Sequence, residues 1–133
     1  MRRLIACIAV LLAATVLTVN PALAAKLDSQ TSSQSGVTVK VAPQNLAGAQ
    51  WEFSVVFDTH SQDLSDDLMK SATLVLDGGA PLAPLAWQGD AAGGHHRKGL
   101  LRFKAPAQSP ASVELRLKRP GEVAPRVFRW QLR

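Results

Sequence analysis

The sequence predicts an all-β, immunoglobulin-like antiparallel sandwich of about seven strands, and three observations support this fold class. Apolar side chains recur at every second position in seven runs between residues 37 and 132, which is the period of strands with one buried and one solvated face. Turn-forming residues such as Asp77-Gly78-Gly79 separate the runs. One domain of about 100 residues has the length of such a sandwich.

The first three runs alternate most clearly. Residues 37–41 alternate valine with polar residues before Pro43, and residues 51–57 place Trp and Phe on one parity. Residues 72–76 alternate alanine and leucine with polar or smaller residues and end at a turn. Between the second and third runs, the acidic stretch near 63–70 predicts one short helical turn, because carboxylates favour the start of a helix.

The last four runs complete the predicted sandwich: 82–87, 101–103, 113–117 and 127–132. Pro84 interrupts the first of them, which predicts a strand at a sheet edge because proline cannot donate to the ladder. The other three alternate apolar residues with mostly charged or polar ones. We therefore expect solvated faces that are largely basic in the second half of the chain.

The first 24 residues have the pattern of a cleaved secretory signal peptide. Arg2-Arg3 precedes the uncharged run 4–19, and Ala22-Leu23-Ala24 provides small residues before a cut after Ala24. The run has 16 residues, fewer than the ~20 that span a bilayer. We therefore expect a periplasmic or secreted protein with no stable membrane anchor after cleavage.

The mature chain is expected to be a monomer with one domain. Residues 25–36 are rich in Ser, Gln and Thr without an apolar period, so they predict a flexible leader before a domain at 37–133. The only cysteine, Cys7, lies in the predicted signal peptide. Disulfides, thiol nucleophiles and thiolate metal sites are therefore excluded from the mature protein.

Charge divides the chain into two halves. Residues 91–133 carry ten of the fifteen Lys and Arg side chains and two of the ten acidic ones. Nucleic acid is not an expected partner, because the basic residues alternate along strands without interleaved aromatic residues. We expect the basic half to pack against the acidic half at 25–90 and to be partly neutralised by it.

Strand order predicts which connections meet. If successive strands reverse direction, every second connection lies at the same end of the sandwich. One end then collects the connections 59–71, 89–99 and 119–125, and the other end collects 44–50, 78–81 and 105–111. The first end carries all three histidines of the protein, and loops on a rigid scaffold are common binding sites.

The histidines at this end predict a divalent metal site. His60, His95, His96 and the nearby Asp58 would supply enough ligands for an ion such as copper or zinc. No His-x-His or His-x₃-His spacing arranges two ligands in advance. A second interpretation is a structural network in which Arg97 and Lys98 pair with aspartates of the first loop, and a third is a surface for a small ligand or protein.

Other polar and aromatic residues of the two loops are candidates for the same binding site: Asp63, Trp87, Asp90 and Arg97. Trp87 directly precedes the glycine-rich loop and could form the floor of a pocket there. Catalysis is not expected. Ser61 and Ser65 lie near His60, but no Gly-x-Ser-x-Gly elbow accompanies them.

The two loops together resemble a pattern in small uncharacterised exported proteins and lipoproteins of prokaryotes. The resemblance rests on Asp58-Thr59-His60-Ser61-x-Asp63-Leu64 and on Trp87-x-Gly89-Asp90-x-x-Gly93-Gly94-His95-His96-Arg97-x-Gly99-x-Leu101-x-Phe103. It covers roughly residues 36–104. The resemblance implies the sandwich and the same loops, and it carries no catalytic assignment.

Two functions follow from the sequence. The first is an exported, non-enzymatic binding module whose polar loops hold a metal ion or another small ligand. The second is a structural or assembly domain that docks on envelope proteins through an exposed sheet edge, where unpaired backbone groups invite pairing. In the second case the loop residues only stabilise the fold.

Overall fold

The computed structural model describes residues 27–133, so the predicted signal peptide lies outside the described residues. In this part of the chain no helix has the length and apolarity that crossing a membrane requires. The elements are β1 (Gln30–Gln34), β2 (Val37–Asn45), β3 (Gln50–Thr59), α1 (Leu68–Ser71), β4 (Ala72–Leu76), β5 (Ala86–Gly89), β6 (His96–Lys104), β7 (Ser112–Leu117) and β8 (Arg126–Gln131).

The strands form two antiparallel sheets. One sheet has the order β1-β2-β3-β6-β5 and the other has the order β4-β7-β8. Without β1, this is the arrangement of an immunoglobulin constant-type sandwich, in which strands A, B, E and D form one sheet and C, F and G the other. The predicted immunoglobulin-like sandwich is confirmed, with one strand more than the seven expected.

The core lies between the two sheets and follows the predicted alternation. Val39, Phe57 and Leu115 are among the inward residues with no exposed surface. Phe53 is at the centre of an aromatic group, with Phe103 edge-on and Trp130 tilted, each at a ring-centroid distance of 5.9 Å. Aromatic pairs at such separations add to the stability that burial alone provides.

The additional strand, β1, lies within the segment 25–36 that the sequence predicts to be a flexible leader. It pairs with β2 from Gln30↔Val41 to Gln34↔Val37, so residues 30–34 belong to the sandwich. The turn uses Ser35 and Gly36, with φ angles of 50° and 74°, and two such residues suit the two-residue hairpin turns that match strand twist. No residue of β1 is fully buried, which explains why it has no apolar period.

Side chains join β1 to β8 across the seam between the two sheets. The Gln30 side chain accepts a hydrogen bond from the Arg129 N–H at 3.1 Å and donates one to the Arg129 carbonyl. The indole Nε1 of Trp130 donates to the Asp28 carbonyl at 2.7 Å. These bonds replace the backbone ladder that two adjacent strands would otherwise form.

Two other elements differ from their predicted boundaries. The helix spans Leu68–Ser71 instead of 63–70, and it begins where the Asp67 side chain accepts a hydrogen bond from the Met69 N–H at 3.1 Å. The predicted run 82–87 is divided. Its last part belongs to β5 at the sheet edge, while Leu82 forms a bridge with Leu74 of the other sheet.

Candidate functional site

The predicted meeting of loops at one end of the sandwich is confirmed. The Thr59 N–H donates to the His95 carbonyl at 2.9 Å. The backbone of Leu64 forms two hydrogen bonds with the second loop. Its N–H donates to the Gly94 carbonyl at 3.0 Å, and its carbonyl accepts from the Gly93 N–H at 2.8 Å. The loop after β3 and the loop before β6 therefore form one connected unit.

Glycine and Asp63 give the second loop its shape. Gly93 and Gly94 have φ angles of 116° and 74°, a region that side chains with a Cβ rarely adopt. The Asp63 carboxylate accepts a hydrogen bond from the Gly94 N–H at 2.9 Å. Asp63 is a predicted site residue, and its observed contact holds one loop against the other.

Trp87 and Asp90 also hold the second loop in place. The indole Nε1 of Trp87 donates to the Asp90 carbonyl at 3.0 Å, and the Asp90 carboxylate accepts from the Lys98 N–H at 3.0 Å. The Trp87 ring lies so close to Gly99 that a Cβ built there would be 2.7 Å from ring carbons. The indole therefore packs against the backbone of β6 and leaves no room for a side chain at position 99.

Arg97 is the buried centre of this unit, with 4% of its surface exposed. Its guanidinium lies 5.4 Å from the Trp87 ring centroid. Nε donates to the Asp90 carbonyl at 3.1 Å and Nη1 to the Asp66 carbonyl at 2.5 Å. The prediction that Arg97 pairs with aspartate carboxylates is wrong, because its partners are main-chain oxygens that the loops turn inward.

A buried ionic network connects the same loops to the β7–β8 connection. The Arg119 guanidinium binds both carboxylate oxygens of Asp66 at 3.0 Å and lies 3.6 Å from Glu122. Both members of the bidentate pair are buried, with 2% of Asp66 and 3% of Arg119 exposed. A buried pair of this kind depends on having both partners present.

The network ends at Arg126, which holds the β1–β2 hairpin. Nη1 donates to the carbonyls of Ser32 and Val37 at 2.9 and 2.8 Å, and Nη2 donates to the Gln34 carbonyl at 2.9 Å. The Glu122 carboxylate accepts from Arg126 Nε at 3.0 Å. One side chain near the start of β8 therefore binds three carbonyls of the N-terminal hairpin.

Sequence reasoning placed the connections that carry Asp66, Arg119 and Glu122 at this end but did not predict their ion pairs, and it missed Arg126. A signal for Arg126 was present, because it has the same parity as Phe128 and Trp130, which are inward residues. Arg97 likewise has the parity of Leu101 and Phe103. A charged residue in line with core positions indicates a buried charge with partners.

The ion pairs of this network make the stability of the fold depend on pH. Hydrogen bonds from Arg126 hold the pKa of Glu122 below its usual value of 4.5, although burial opposes this effect. The folded state therefore binds fewer protons than the unfolded state, so this stability is present above the unfolded pKa and is lost as the pH falls through the folded pKa.

We expect Glu122→Gln to be less stable at neutral pH and to lose less stability than the native protein between about pH 5 and about pH 3. Urea unfolding at a series of pH values measures this, and parallel stability curves would contradict it.

The predicted metal ligands lie on the surface of the same end. His96 Nδ1 is 2.5 Å from Asp58 Oδ1, with both side chains more than half exposed. His60 and His95 are also exposed. Between residues 27 and 133 no group of three or more His, Cys, Asp or Glu side chains is arranged to hold a metal ion. The structure thus pairs two of the four predicted ligands and does not bring the set together as a metal centre.

Comparison of the chain with protein-family models, curated proteins and solved structures finds no match. The resemblance to small exported prokaryotic proteins therefore stays a prediction. The site is described by its own contacts, which divide the predicted residues into two groups. Asp63, Trp87, Asp90 and Arg97 form side-chain hydrogen bonds to backbone groups of the loops or of β6. Asp58, His60, His95 and His96 are exposed, as Asp63 and Asp90 also are.

Proposed function

We propose that the protein is an exported, non-enzymatic assembly domain that docks on another envelope protein, with its polar loops serving to stabilise the sandwich. One observation carries this proposal. The polar groups of Asp63, Asp90 and Arg97 are engaged by backbone groups of the domain itself. Residues that already hold the fold together have little remaining capacity to bind a ligand.

The rigidity of this end also fits a docking domain. Four connections are fastened together. From the β7–β8 connection, the network reaches the β1–β2 turn through Arg126, the β3–α1 loop through Asp66, and the β5–β6 loop through Arg97. A preorganised surface loses less conformational entropy when a partner binds. The sandwich can therefore present its surfaces to a partner without rearranging its loops.

The stabilising role predicts unequal effects of two neighbouring substitutions. We expect Arg97→Ala to lower the free energy of unfolding by about 2–3 kcal/mol, because buried carbonyls lose a charged donor. His96→Ala should change it by less than about 0.5 kcal/mol, since exposed positions contribute little. Urea denaturation of both variants measures the difference. Equal effects would show that the loops do not depend on Arg97.

Docking can be tested by photo-crosslinking in intact cells. A photoreactive amino acid placed in turn at exposed positions around the sandwich should yield a discrete cross-linked envelope protein from neighbouring positions only. The adduct should disappear when charged residues replace exposed apolar side chains on the same side. Uncross-linked protein at every position would contradict the docking function.

A second candidate function is the binding of a divalent metal ion such as copper or zinc. It is supported by the exposure of His60, His95 and His96 and by the contact of His96 with Asp58. An ion that binds the native state must raise the melting temperature. Titration with copper and zinc should then produce a thermal shift that is weakened in His60→Ala, His95→Ala and His96→Ala. The absence of any shift at excess metal would remove this candidate.

A further inference from the structure

We infer that the open edge of β5 is the docking surface and that it binds an extended, acidic polypeptide segment of the partner protein as an added antiparallel strand. The inference rests on the proposed docking function and names its site. A sandwich of two open sheets has four edge strands, and here these are β1, β5, β4 and β8. Exposed edges attract other strands unless they are covered.

Side chains cover two of these edges. Arg126, on β8, binds the carbonyls of Ser32 and Gln34 and so holds β1 beside β8. Gln30 occupies the N–H and the carbonyl of Arg129 on β8. A strand that approached either edge would have to displace these bonds, so the β1–β8 seam is a poor docking surface.

The third edge, β4, is partly covered by the chain itself. The Leu74 N–H donates to the Leu82 carbonyl at 2.9 Å, and the Leu82 N–H donates back at 2.8 Å. A reciprocal pair of this kind is a hydrogen-bonded bridge of an antiparallel ladder. The middle of the five-residue β4 is therefore already paired on its outer side.

The outer side of β5 carries no comparable cover. The Asp90 N–H donates to the Lys98 carbonyl at 2.9 Å, so the alternation of an antiparallel ladder directs the N–H groups of Trp87 and Gly89 outward. Across residues 27–133 no side chain or loop forms a hydrogen bond with these two backbone N–H groups. A partner strand would find both donors available.

Apolar side chains accompany this edge. Leu85, directly before β5, is 50% exposed, and Leu82 is 39% exposed. Met69 is 41% exposed on α1, which lies next to β5. An extended segment that paired with β5 could bury side chains against these three residues, which adds a hydrophobic contribution to the backbone hydrogen bonds.

Charge favours an acidic segment. Lys98 and Lys104 project from β6, the strand next to β5, and they form no ion pair within the described part of the chain. The third cation of this face, Arg102, is already bound to Glu52 at 3.1 Å. An added strand would lie about 10 Å from β6, within reach of long lysine side chains. Acidic residues at alternate positions of the segment would complement them.

The test selects peptides from a random 12-residue phage-displayed library on the purified protein. We expect enriched peptides that combine acidic and apolar residues, and we expect their addition to shift the amide NMR signals of Trp87 and Gly89. Gln88→Glu, which places a charge of the same sign as the segment on the open edge, should raise the dissociation constant at least about tenfold. Gln131→Glu makes the same change on the covered edge of β8 and should alter it less than about twofold.

The inference is overturned if no peptide is enriched, if the enriched peptides shift signals elsewhere, or if the two glutamate variants bind equally. Its failure is distinct from failure of the docking function. Cross-linking in cells that persists while peptides map to another surface would retain the docking function and reject this edge. Peptide binding at β5 without any cross-linked envelope protein would support the edge and reject that function.

Discussion

Replacing Arg119 with alanine is expected to lower the free energy of unfolding by about 3–5 kcal/mol, the range for removing one partner of a buried ion pair. The physical reason is the carboxylate that remains. Asp66 has 2% of its surface exposed, and it receives both of its side-chain hydrogen bonds from Arg119. Without that guanidinium, a charge would be buried with no counterion.

Guanidinium chloride unfolding measures this effect, and Arg129→Ala is the matched control. Arg129 also binds a carboxylate, Glu114, at 2.9 Å, but its side chain is 73% exposed. Ion pairs at the surface contribute about 0–1 kcal/mol, so the control should remain close to the native protein. A loss for Arg119→Ala no larger than that of the control would show that the Asp66 pair does not support the fold.

Replacing Arg126 with alanine is expected to cost a similar amount, about 3–5 kcal/mol, because Glu122 would lose its closest cation. The change should also be visible locally. Three carbonyls of the β1–β2 hairpin would lose the bond from Arg126. We expect the amides of β1 to exchange their hydrogens much faster in this variant, even where the rest of the sandwich stays protected.

Gln30→Ala provides the comparison for β1, because it removes neutral hydrogen bonds from the same strand. Such bonds contribute about 0.5–1.5 kcal/mol each, so the loss should be clearly smaller than for Arg126→Ala. Hydrogen exchange and urea denaturation of both variants give the two measurements. Native exchange rates in β1 of the Arg126→Ala protein would disprove the role of Arg126 as the clamp of this strand.

Most of the sandwich could be predicted from the sequence because its strands follow one rule, the alternation of inward apolar and outward polar positions. In β3 and β7 inward positions are apolar and outward positions are polar or small, with the buried Thr59 and the outward Val56 as exceptions. The meeting of the loops then followed from the reversal of successive strands. Pro84 correctly indicated an edge strand, although the strand itself begins after it, at Ala86.

β1 could not be predicted by that rule, since it contributes no buried side chain. Its position depends on Arg126, which is about ninety residues away in the chain. The division of the candidate site was also beyond the sequence. Alternation shows that Arg97 faces inward, but only three-dimensional contacts show that it binds carbonyls instead of carboxylates. The exposure of His60 and His95 likewise depends on how the loops turn.

The bonds between Arg126 and the N-terminal hairpin have a consequence for how the chain matures. If the protein is secreted from its N-terminus, as the sequence predicts, residues 30–37 cross the membrane before residue 126. The hairpin then reaches the far side without its clamp, which follows about ninety residues later in the chain. Completion of the sandwich is in that case coupled to translocation, and the slow, long-range contacts typical of β-sandwiches form only after Arg126 has crossed.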